Sequence, residues 1–163
     1  MPGRGSGRRA AAAVVLAGVL AAACEWEPWG IDETPEEREY HRARARWESA
    51  EVRSYRYWLS VECDCPAALQ RRVEIEVEDG VPVSVRDDET GAPADRALFA
   101  PYDTVDELFR LIGDALARDA VVGALYETRF ALGYPESVQI DYDEFRRGEE
   151  LSFVLPLELE ILD

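Results

Sequence analysis

Lysine is absent from this sequence of 163 residues, and histidine occurs once. All 18 basic side chains are arginines, set against 34 acids, and the formal net charge is −16. A balance so acidic argues against a nucleic-acid partner, because phosphate binding needs a clustered basic face. It also argues against adsorption on an anionic membrane surface. The single histidine, His41, falls among arginines on the polar side of a predicted helix, which is a solvated position. That leaves a Ser–His–Asp triad without its base.

Cysteine is scarce too, with only Cys24, Cys63 and Cys65. Two thiols and one imidazole fall short of the ligands of a structural zinc site. Calcium fares no better. The run Asp141-Tyr142-Asp143-Glu144, with Glu149 and Glu150 beyond it, breaks the EF-hand pattern at Phe145 and has its glycine, Gly148, in the wrong place. That run and Asp87-Asp88-Glu89 read as solvated loops. No constellation for catalysis stands out, and no catalytic residue, metal or cofactor is expected.

The amino terminus follows different rules. Arg4, Arg8 and Arg9 form a positive head, and Ala10 to Ala23 is an apolar stretch shorter than the ~20 residues of a spanning helix. This is the pattern of an export signal. Ala21-Ala22-Ala23-Cys24 resembles a bacterial lipobox, in which the thiol is acylated and becomes the new amino terminus. Ala21 occupies the usual leucine position, and Leu20 lies one place further out. Ala21-x-Ala23 also suits ordinary cleavage, so free secretion is the alternative. The alanines after Arg8-Arg9 fit a twin-arginine signal poorly. Removing residues 1–24 takes away three arginines and no acid, leaving 15 arginines against 34 acids.

Residues 25–33, EWEPWGIDE, read as a tether. Trp26 and Trp29 sit either at the lipid interface or on the domain surface. Residues 34–163 form one domain, and 47% hydrophobic content supplies its core. Thr34-Pro35-Glu36-Glu37 starts a helix with a capping box and runs to about Ala50. Tyr40, Ala43, Trp47 and Ala50 form its thin apolar stripe. Next, Tyr55, Tyr57, Leu59 and Val61 alternate with polar residues in a half-buried strand. Val73–Val77 and Val81–Val85 form a hairpin around Asp79-Gly80, with the valines facing the core. A loop spans Asp87 to Pro101. A second capping box at Thr104–Glu107 opens a helix bearing Val105, Leu108, Phe109, Ile112 and Leu116. Three strands follow: Val121–Phe130, one on Val138, Ile140 and Tyr142, and Leu151 to about Leu159. Pro156 places the last at an edge or bulge.

The expected fold is α+β. A single antiparallel, meander-type sheet of about six strands carries two helices on one face, in the order α-β-β-β-α-β-β-β.

Cys63 and Cys65 continue the buried parity of the first strand. Fully extended, their Cα atoms would lie about 6.6 Å apart, at the upper edge of the disulfide range, so a bridge requires a bend at Asp64. Export brings an oxidising compartment. A structural bridge is expected, and a redox-active pair is the alternative.

Four motifs together, C-x-C-P at Cys63, D-G-x-x-x-S-V at Asp79, T-V-D-E-L-F at Thr104 and G-Y-P-x-x-x-x-I-D at Gly133, resemble a bacterial envelope family known only as domain of unknown function number 6174. The resemblance covers roughly Trp47 to Phe153 and departs from the family pattern at Tyr126–Leu132. It implies a short lipoprotein or secreted protein with one α+β domain and carries over no catalytic residue. The expectation is therefore a non-enzymatic envelope protein, membrane-anchored through Cys24, that binds a partner protein or a small ligand. A thiol–disulfide protein using Cys63 and Cys65 is the second reading.

Overall fold

Thr34 opens the first helix as the sequence predicts. In the computed structural model, which describes residues 33–143, 145–156 and 159–162, its hydroxyl accepts from the Glu37 N–H. The Glu37 carboxylate in turn accepts from the Thr34 N–H. Two otherwise orphaned amides are satisfied this way. Residues 1–32, and with them Cys24, Trp26 and Trp29, lie outside the described residues. The helix α1 spans Pro35–Ala50 and buries Tyr40, Ala43 and Trp47. Ala50, expected on that stripe, is exposed at the last turn. His41 is exposed and faces Glu33.

Strands β1 (Tyr55–Cys63), β2 (Val73–Glu78) and β3 (Val81–Asp87) form one antiparallel meander. β4 (Val121–Tyr126), β5 (Pro135–Asp141) and β6 (Glu150–Val154) form a second. Pairing of β1 with β6 joins them into one sheet in the order β3-β2-β1-β6-β5-β4, and a short β7 (Glu160–Ile161) adds to β1. The fold class is therefore the α+β expected, with β1 at the centre.

Between the meanders, the stretch expected to be a loop contains α2 (Arg96–Phe99) and a 3-10 turn (Ala100–Tyr102). The helix α3 (Val105–Leu116) follows. Thr104 caps it by accepting from the Glu107 N–H at 3.1 Å, but the Glu107 carboxylate engages Arg110, so the reciprocal half of the expected box is not made.

Both long helices cover the same sheet face. Trp47 meets the edge of Tyr55 at 5.3 Å between ring centres, and Tyr57, Leu59, Leu108, Phe109 and Ile112 are fully buried with it. The tyrosines of β1 also fix the start of α3. Tyr57 donates to the Tyr102 carbonyl at 2.5 Å, and the Val105 N–H donates to the Tyr55 hydroxyl at 3.0 Å. Burial pushes both phenols up from their ordinary pKa, so they stay protonated and able to hydrogen-bond.

Several expectations need correction. Val81 and Val83 are exposed rather than in the core. A bulge between Glu76 and Val77 shifts the register, so Pro82 sits opposite Val77 and Val81 opposite Glu78. The strand from Val121 ends at Tyr126 instead of Phe130. Tyr142 falls beyond β5 and is exposed. The last predicted strand is split, because β6 stops at Val154. Being interior, β6 could not carry the missing N–H of Pro156, which lies past its end. The Asp79-Gly80 turn forms as expected, with φ of 50° and 80°.

Asp87 ends β3 by accepting from the Thr90 hydroxyl and N–H at 2.7 and 2.8 Å, and it pairs with Arg71 at 2.8 Å. The hydroxyl first and the amide second hold its carboxyl below the ordinary carboxylate range. A depressed folded pKa contributes stability above the unfolded value of about 3.9 that disappears as pH falls through the folded value. Asp87→Asn should therefore lower the melting temperature near neutral pH and leave it unchanged near pH 2. An equal drop at both pH values, read by thermal melts, would remove the charge from this account.

Candidate functional site

The bend expected at Asp64 is present, and the chain leaves β1 there. It brings the Cys63 and Cys65 Cα atoms to 5.2 Å and their sulfurs to bonding distance, 1.92 Å. The Gln70 side-chain amide then donates to the carbonyls of both cysteines at 3.2 and 3.1 Å, tying the loop back on itself. A loop so short gains only ~1.6 kcal/mol from closure. Alkylation of native protein should label neither thiol, and reduction should expose both with a modest loss of stability. Free thiols before reduction would contradict the bridge.

This corner of the sheet opens into a cleft of about 810 Å³. Its floor is one row of the open face, since the register aligns Glu62, Ser152, Gln139 and Gly123 across four strands. Gly123 leaves open space where a side chain would stand. Asp64, Asp141 and Glu150 complete the acidic lining, and Val121 and Leu151 supply apolar surface. Gly148, at φ of +91°, lets the β5–β6 connection pass within 3.3 Å of the Asp64 carboxylate, measured from where a Cβ would sit. Backbone N–H groups, its own and that of Gly148 at 2.6 Å, hold the Glu150 carboxyl below its ordinary value. Asp141 accepts from the Asp143 N–H at 3.0 Å, which orients it at the end of β5.

The chemistry available here is electrostatic. Among the described residues, the lining has no arginine or histidine. Carboxyls that burial pushes up, Asp103 and Asp106, belong to the start of α3 and do not line the cleft. Among the described residues, no three His, Cys, Asp or Glu side chains gather as metal ligands.

Of the residues singled out in the sequence, Cys63, Asp141 and Glu150 come together here, so Asp141 and Glu150 line a cleft rather than a merely solvated loop. His41 stays apart on α1. Glu62, Gly123, Gln139 and Ser152 carried no local signal, because only strand register assembles them. Glu127, outside the cleft, also carried no signal. It is fully buried, and its carboxylate accepts from the N–H groups of Phe130, Leu132 and Gly133 at 2.5, 2.8 and 3.3 Å.

The chain belongs to the family of unknown function DUF6174, whose model matches residues 39–156. No curated protein and no solved structure matches it.

Proposed function

We propose that this member of an uncharacterised family is an exported, membrane-tethered binding module whose corner cleft holds a cationic ligand with an apolar portion. The observation that carries this reading is the cleft. Four carboxylates surround apolar surface on a rigid sheet; Arg147 acts on Glu150 from outside, but among the described residues no arginine lines the cleft. Attraction at such a partly exposed site is moderate and salt-dependent. The row of Glu62, Ser152, Gln139 and Gly123 sits on paired strands, so the site needs little reorganisation to bind.

The thiol–disulfide reading has less support. A reactive cysteine needs a cationic neighbour or helix terminus to stabilise its thiolate. Cys63 and Cys65 instead flank Asp64 and adjoin Glu62, and these carboxylates oppose thiolate formation.

The mature protein should bind spermine saturably by calorimetry, with affinity falling as salt rises. Glu62→Gln combined with Asp141→Asn should weaken binding by about tenfold or more, on the order of 1.4 kcal/mol. Absence of saturable binding, or indifference to both substitutions, would sink the reading.

The tether rests on Ala21-Ala22-Ala23-Cys24. Wild-type protein should partition into detergent, and Cys24→Ser should abolish that. Recovery of wild type from the medium with a free amino terminus would show secretion instead.

A further inference from the structure

The two edges of the sheet are built differently. On β3, Pro82 lacks an N–H and a bulge distorts the ladder. The chain at 92–94 also folds over that edge. Pro93 bridges Arg86, the Asp87 N–H donates to the Ala92 carbonyl, and the Ala94 N–H donates to the Val85 carbonyl. These are the usual devices against strand pairing.

On β4 the one irregularity of the ladder falls at its end, between Leu125 and Tyr126, and among the described residues no segment folds over its outer edge as 92–94 does on β3. The β4 sequence, VVGALY, contains no charge and no proline, and among the described residues its only strand partner is β5. Val121 and Leu125 are 53% and 67% exposed. Alternate backbone groups of an edge strand point outward, ready to pair.

Three hollows converge on this strand. The cleft reaches Val121–Gly123 from the open face. On the helix side, one hollow joins Val122–Ala124 to Glu36 and Glu39, and another joins Val121–Val122 to Glu37 and Asp119. The edge thus runs between two acidic banks; Glu39 is paired with Arg42 and Arg46, but among the described residues no arginine lines any of the three hollows.

We infer that the outer edge of β4 accepts an extended, basic segment of a partner protein as an additional strand. This rests on the reading of the cleft as a cation site and names its occupant. Backbone pairing would supply the register. Successive side chains of the added strand point to opposite faces. One set of cations therefore meets Asp141 and Glu150 and the other meets Glu36 and Glu37. An acidic occupant, including a second copy of this chain, is repelled by both banks.

The test uses the full mature chain and a short synthetic peptide in which pairs of arginines alternate with pairs of valines, so that both faces of an added strand carry cations. Two analogues carry methyl groups on one or the other alternate set of backbone nitrogens, and spermine serves as a cation without a backbone. In an added strand only one set of N–H groups joins the ladder. One analogue should therefore lose affinity by about tenfold or more while the other binds like the parent. Leu125→Lys should weaken the peptide more than it weakens spermine. Equal behaviour of the two analogues overturns strand addition. Binding of spermine without the peptide also overturns it and leaves the cation cleft standing. Failure of both ligands overturns both readings.

Discussion

Leu108→Ala should lower the unfolding free energy by about 2–5 kcal/mol. Leu108 is fully buried on the sheet-facing side of α3, beside Phe109 and Ile112. Truncation removes its transfer energy and leaves a void that neighbours fixed on paired strands fill poorly. Phe109 illustrates how firmly they are held. It stacks on Tyr126 of β4 at 6.1 Å and meets Tyr40 of α1 edge-on at 6.0 Å. Denaturant melts give the number, and a change within experimental error would remove α3 from the core.

Glu127→Ala should cost about 3 kcal/mol, because three backbone N–H groups lose their acceptor at about 1–3 kcal/mol each when buried, and those of Phe130 and Leu132, only partly buried, fall at the low end. The loop it holds carries Gly133 against α1. A Cβ there would stand 2.6 Å from the Ala43 carbonyl, and φ is +78°. The Glu127 N–H also donates to the Tyr134 carbonyl at 2.8 Å, which closes the turn from β4 to β5. Glu127→Gln keeps one acceptor oxygen and should recover part of the loss. Wild-type stability in the alanine variant would mean that water replaces the carboxylate.

Much of the fold was legible because its signals are local. A capping box at Thr34, a two-residue turn at Asp79-Gly80 and the period of Val105 to Ile112 each lie within a few residues. The bridge of Cys63 to Cys65 was legible for the same reason, since only one residue separates the partners.

What stayed hidden is non-local. The bulge that exposes Val81 and Val83 arises from how β3 pairs with β2, and valine patterning alone cannot place it. The pairing of β1 with β6 joins residues some ninety positions apart. That pairing creates the cleft, so Ser152 and Gln139 looked like ordinary polar strand residues. Glu127 sits in a stretch, YETRFAL, where a glutamate reads as surface, and only the turn that wraps its carboxylate buries it.

The most direct test of the cleft is a map of backbone amide shifts while the protein is titrated with spermine. Saturable shifts should concentrate at Glu62, Gly123, Gln139, Asp141 and Ser152, which four strands bring to one corner. Weak, unsaturable shifts spread over the other acidic surfaces, such as Glu74, Glu76 and Glu160 around Arg56, would contradict that reading of the cleft.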